Sequence, residues 1–127
     1  MAARILIVED NADLLTILEE VLSADYEVKT AQRGEDAIMI ARTFDPDLVL
    51  LDLLLPGIDG VETGRRIKEQ AAPRGVPILV LTAKAETIDQ DELLASGCCE
   101  AVIAKPAPLP TIRAKVDELL YSHSSIT

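Results

Sequence analysis

Five side chains have the types and the placement to do chemistry together: Glu9, Asp10, Asp52, Thr82 and Lys105. Each stands where a short apolar run ends. Ile5-Leu6-Ile7-Val8 stops at the acid pair and Leu48-Val49-Leu50-Leu51 at Asp52. Ile78-Leu79-Val80-Leu81 stops at Thr82, and Ala101-Val102-Ile103-Ala104 at Lys105. The first three runs read as strands covered on both faces, and the fourth as a short last strand. Laid side by side and parallel, they bring three carboxylates, a hydroxyl and an ammonium to one sheet edge. Crowded carboxylates raise one another's pKa unless a cation joins them. Mg2+ answers that need, because it accepts one or two carboxylates together with waters and phosphate oxygens. With Glu9, Asp10 and Asp52 around such an ion, Lys105 and Thr82 are suited to holding phosphoryl oxygens. Asp52 is then the nucleophile of an aspartyl phosphate. Singly, each residue has an ordinary role: acids near a helix start, a loop-capping Asp, a strand Thr, a solvated Lys. Recurrence at four matching strand ends singles them out.

The elements that must position these residues follow from periodicity. Asn11 is an N-cap for a first helix with Leu14, Ile17, Leu18 and Val21 on its apolar stripe, Glu19 and Glu20 facing out. Tyr26 to Ala31 alternates apolar and polar, which suits an edge strand. Residues 34–43 give a weaker amphipathic helix through Ala37, Ile38 and Ala41, ended by Asp45-Pro46-Asp47. After Asp52 come two turn dipeptides, Pro56-Gly57 and Asp59-Gly60, and a third helix buries Val61, Gly64 and Ile67. An acidic fourth helix is predicted from about Glu86 to Ser96, stopped by Gly97, and a fifth buries Ile112, Val116, Leu119 and Leu120. Strand and helix alternate five times. That pattern predicts an α/β fold of the flavodoxin-like (βα)5 type, a doubly wound parallel sheet in strand order 2-1-3-4-5. One domain over 1–121 is expected, with a flexible polar tail over 122–127.

Composition narrows the function classes. Of 127 residues, 22 are Asp or Glu against 12 Lys or Arg, a formal charge of −10. Such a surface repels phosphate backbones, and with aromatics at 2% there are few platforms for base stacking, so no nucleic-acid binding by itself is expected. No apolar run is of membrane-spanning length, and Met1-Ala2-Ala3-Arg4 leads into a strand without a signal-peptide core. No membrane association and a cytoplasmic location are the expectations. Adjacent Cys98 and Cys99 read as two reduced thiols.

The motifs VEDN, LVLLDLLLPGIDG, LVLTA and IAKP together resemble those of the receiver domain of bacterial two-component response regulators, over nearly the whole chain. The resemblance implies a Mg2+-dependent phosphoacceptor served by a histidine kinase or histidine phosphotransfer protein, switching a surface read by a downstream protein. It implies that Glu9, Asp10, Asp52 and the backbone carbonyl of Leu54 hold Mg2+. It also implies that Thr82 and Lys105 bind the phosphoryl group and that Lys105-Pro106 is cis. Leu54 and Lys84 are then expected to flank the path of a hydrolytic water. Two features depart from the family: Val102 stands where Tyr or Phe is usual, and Gly97 to Lys105 is one residue longer. Whether the receiver stands alone or belongs to a longer regulator is left open.

Other strand-end carboxylate sites fit less well. A haloacid-dehalogenase-type phosphatase needs a second acid where this chain has Leu54. A flavodoxin-type FMN site wants a phosphate-cradling loop where Glu9-Asp10 would repel phosphate, and no G-x-G-x-x-G turn serves a dinucleotide. The lone histidine, His123, lies in the tail, so the chain is not itself a histidine phosphotransfer protein. The alternative that keeps the fold is an interaction module working without phosphate.

Overall fold

A computed structural model describes residues 2–55, 57–83 and 89–126, with side chains described as far as Tyr121. Five strands alternate with five helices: β1 Arg4–Val8, α1 Ala12–Ser23, β2 Glu27–Ala31, α2 Gly34–Phe44, β3 Leu48–Leu51, α3 Gly60–Ala71, β4 Ile78–Thr82, α4 Gln90–Ala95, β5 Ala101–Ala104 and α5 Leu109–Ile126. The strands are all parallel in the order β2-β1-β3-β4-β5, as the alternation of periods predicts. β3 lies at the centre with β1 beside it, so the acids that follow β1 sit next to the end of the Asp52 strand.

The two faces of the sheet carry separate cores because side chains alternate along each strand. Leu6, Val8, Val49, Leu51, Ile78 and Val80 pack with Ala37, Ala41 and Phe44 of α2, Ile67 of α3 and Leu93 of α4. Ile5, Ile7, Leu48, Leu50, Leu79 and Leu81 pack on the other side with Leu15, Leu18 and Leu22 of α1 and Ile112, Val116 and Leu120 of α5. Burial of both faces is why the inner strands read as unbroken apolar runs. β2 pairs only with β1 and alternates, as an edge strand should.

Helix faces differ from the sequence expectation in two places. On α1 the buried residues are Leu15, Leu18 and Leu22, while Ile17 is exposed. Leu14, Leu15, Ile17, Leu18, Val21 and Leu22 span nearly half the helix circumference, so the pattern leaves the centre of the buried face undetermined. On α3 Thr63 is fully buried and Val61 exposed. The Thr63 hydroxyl donates to the Asp59 carbonyl at 2.8 Å, which satisfies it within the helix. The backbone of α5 continues helical to Ile126, where a frayed tail is expected from the sequence. No Pro or Gly interrupts Ser122 to Ile126, so nothing local terminates the helix. Glu86, at the predicted start of the fourth helix, lies outside the described residues; α4 is described from Gln90 and ends before Gly97, at φ +80.

α5 is also tied to the α1–β2 turn. Tyr26 donates to Asp117, and the Arg113 guanidinium lies 5.3 Å from the Tyr26 ring centroid and 2.6 Å from Asp25 Oδ2. Burial and then the neighbouring Asp117 raise the Tyr26 phenol above its ordinary pKa of 10.0. A raised folded-state pKa means the fold favours the neutral phenol. That contribution is complete below pH about 10 and is lost as pH rises through the folded value. Urea unfolding should therefore show wild type losing stability more steeply above pH 10 than Tyr26→Phe. Parallel alkaline profiles would show that this contact is not the cause.

Candidate functional site

Backbone hydrogen bonds bring the strand ends into line. Asp52 N–H donates to the Val8 carbonyl at 2.9 Å, continuing the β1–β3 ladder one step past Leu51. Lys105 N–H donates to the Thr82 carbonyl at 2.9 Å and likewise extends β4–β5 past Ala104. Glu9 N–H is taken by Ala31. Glu9, Asp10, Asp52 and Lys105 are thus the first or second residue beyond a paired strand, and Thr82 is the last residue of one, all at the C-terminal edge of the sheet. Lys105-Pro106 is cis.

Glu9, Asp10 and Asp52 offer carboxylate oxygens within 4.8 Å of one another. Glu9 and Asp52 are buried, at 2% and 4% exposure, and Asp10 is exposed. Between the two buried acids lies the Lys105 ammonium, 2.6 Å from Glu9 Oε1 and 3.1 Å from Asp52 Oδ2. The other oxygens are also engaged: Asp52 Oδ1 accepts Leu54 N–H at 3.0 Å, and Glu9 Oε2 accepts Asn11 N–H at 3.1 Å. Both carboxylates are held in one orientation. Asn11 caps α1 through Leu14 N–H at 3.0 Å, as its position predicts.

The electrostatics point outward for a further cation. Burial raises the Glu9 pKa despite the hydrogen bonds from Lys105 and Asn11, and the Asp52 charge adds to the rise. Burial alone would lower Lys105, but its bonds to Glu9 and Asp52 outweigh that and leave its pKa raised. Among the described residues three carboxylates face one ammonium, which leaves negative charge in excess there. Oxygens around an octahedral divalent ion of this size stand about 3–4 Å apart, and Asp10 opens the group to water. The donor set therefore fits Mg2+.

Thr82 is fully buried at the end of β4, one residue before the β4–α4 loop. Leu54 is 48% exposed and its amide donates to Asp52, which places residue 54 at the mouth of the pocket. Lys84 and Thr87 lie outside the described residues. Val102 pairs with Val80, is half-buried and packs against the α2–α3 core. The β4–β5 register is regular from Ala101 to Ala104, after the turn of residues 97–100. Both cysteines of that turn are free and buried in the core. Burial, with Cys98 alongside, pushes the Cys99 thiol up to about 12. One contributor the motifs do not signal is Glu35, in the first turn of α2, which accepts Ile58 N–H in the loop after Asp52. In the sequence it reads as an ordinary acid at a helix start.

Comparison with known proteins agrees with this geometry. The family model described as response regulator receiver domain matches residues 5–117. The uncharacterized transcriptional regulatory protein YrkP of Bacillus subtilis is 42% identical over 91% of this chain and 48% of its own length. The phosphate regulon transcriptional regulatory protein PhoB of Rhizobium meliloti is 36% identical over 94% of this chain and 53% of its own. The chain thus spans about half the length of these two relatives. The polar-differentiation response regulator DivK of Brucella ovis, 33% identical, is matched over 89% of its length and 87% of this chain. Among solved structures, a CheY-like receiver domain protein of Methanospirillum hungatei superposes with a TM-score of 0.91 at 23% identity, covering 100% of both chains. The BeF3-activated receiver domain of Klebsiella pneumoniae RstA gives 0.81 at 30% identity, over 92% of this chain and 97% of its own.

Proposed function

Because the chain belongs to the response regulator receiver domain family, we propose that it accepts a phosphoryl group on Asp52 in a Mg2+-dependent reaction. The observation that carries this reading is the Lys105 ammonium bridging buried Glu9 and Asp52, with Asp10 completing an acidic cluster. Glu9, Asp10, Asp52 and the Leu54 carbonyl are the proposed metal ligands. Mg2+, when bound, would offset the charge of the transferring phosphoryl oxygens.

The chain's own residues do the rest. Leu54 N–H and Lys105 fix the two oxygens of Asp52, so the nucleophile is oriented before a donor arrives. An Asp52 oxygen bonds to phosphorus as the P–N bond of a phosphohistidine breaks. Lys105 and the Thr82 hydroxyl then hold the phosphoryl oxygens, a role available to them only at the ends of adjacent strands. The proposed donor is a histidine kinase or histidine phosphotransfer protein, and the product alters a surface recognised by a downstream protein. Residues 1–121 form the proposed receiver, acting in the cytoplasm. Among the described residues, no helix is long and apolar enough to cross a membrane.

Intact mass measured after incubation with acetyl phosphate tests this. Wild type should gain one phosphate with Mg2+ and none in EDTA, and Asp52→Asn should gain none in either. Labelling without a divalent metal, or equal labelling of Asp52→Asn, would contradict the assignment.

A further inference from the structure

The geometry points to Glu35 as a positioning residue for the metal-binding loop, an inference that rests on the reading of the acidic cluster as a Mg2+ site. The loop between β3 and α3 carries Leu54 and is fixed at its ends by two of its own hydrogen bonds: Leu54 N–H to the Asp52 side chain at Oδ1, 3.0 Å, and Gly60 N–H to the Leu53 carbonyl at 3.1 Å. Between those ends the hold comes from another helix. Glu35 Oε1 accepts Ile58 N–H at 3.0 Å. The same carboxylate lies over Gly57, where φ is +80 and a Cβ would stand 2.4 Å from Oε1 and 2.5 Å from Oε2. A residue with a side chain at 57 would be strained and would push Glu35 away. Arg33 Nη2, 3.3 Å from Glu35 Oε2, steadies the carboxylate from outside. The Ile58 amide, assisted by Arg33, holds the Glu35 carboxyl below its ordinary pKa of 4.5. Among the described residues, α2 thus grips the loop between the two points fixed by the loop's own bonds.

The consequence falls on Leu54. A ligand carbonyl in a loop tied only at its ends samples positions away from the ion, and every such position weakens binding. Glu35→Ala should therefore raise the Mg2+ dissociation constant roughly fivefold, the worth of one net hydrogen bond. Glu35→Gln keeps an oxygen facing Ile58 and should stay within about twofold of wild type. Gly57→Ala, which disturbs the same contact from the loop side, should weaken Mg2+ as Glu35→Ala does. Mg2+ binding is read from amide chemical shifts, and hydrogen exchange at Ile58 should accelerate in Glu35→Ala. With acetyl phosphate, the Mg2+ concentration for half-maximal labelling should rise while the rate at saturating Mg2+ stays at the wild-type value. Wild-type Mg2+ affinity in Glu35→Ala, or equal weakening in Glu35→Gln, would overturn the positioning role. Failure of wild type itself to bind Mg2+ would overturn the metal-site reading beneath it.

Discussion

Replacing Lys105 with methionine should cost about 3 kcal/mol of stability in metal-free buffer and slow phosphorylation roughly a hundredfold or more. The stability loss follows from what Lys105 touches. Its ammonium lies 2.6 Å from Glu9 and 3.1 Å from Asp52, whose side chains are 2% and 5% exposed. Methionine keeps the stem and removes the charge, leaving two buried carboxylates facing each other without a cation. Divalent metal offsets that charge, so urea unfolding in millimolar Mg2+ should recover part of the loss. The rate should not recover, because metal at the acid cluster does not replace an ammonium aimed at the phosphoryl oxygens. A variant as stable as wild type in EDTA and labelled at the wild-type rate would show Lys105 to be an ordinary solvated lysine.

A second large effect is expected at Gly60. A Cβ there would stand 2.4 Å from Leu53 Cα, 2.7 Å from the Asp52 carbonyl oxygen and 2.9 Å from the Leu53 carbonyl carbon. All three are backbone atoms of the segment that carries the proposed nucleophile, so no side chain can rotate away. Gly60→Ala must either push α3 off β3 or displace Asp52, at a cost of about 3 kcal/mol or more. Gly97→Ala provides the comparison: φ is +80, but among the described residues no atom beyond its chain neighbours lies within 4 Å of the added Cβ, so backbone strain remains, about 1 kcal/mol. Equal midpoints for the two variants in urea would refute the steric argument.

Gly60 also shows where sequence reading reaches its limit. Asp59-Gly60 reads as a turn pair, yet Asp59 is the N-cap of α3, accepting Glu62 N–H at 2.8 Å, and Gly60 is required by a contact with Leu53. A close approach between two backbone segments leaves no periodic trace in a sequence. β1, β3 and β4 did leave one, because burial on both faces forces apolar residues along them, and their polar ends marked Glu9, Asp52 and Thr82. β5 is an edge strand with no fully buried residue, and Lys105 was marked only by the short apolar run before it. Strand order was legible through the alternation in β2, which only an edge strand tolerates. Helix faces were less legible. Ile17 and Val61 are apolar yet exposed, and Thr63 is polar yet buried, because it bonds back to its own helix. Glu35 was not legible at all: its partner is a backbone N–H, and every residue but proline has one.

Asp52 itself is the proposed carrier of the phosphoryl group. An acyl phosphate is reduced by borohydride to an alcohol, whereas a free carboxylate is not. After labelling with acetyl phosphate and Mg2+, borohydride treatment and tandem mass spectrometry should find homoserine at position 52 and aspartate at positions 10 and 59. Reduction at Asp10 or Asp59 with position 52 unchanged, or no reduced residue in a protein that has gained phosphate, would contradict the account.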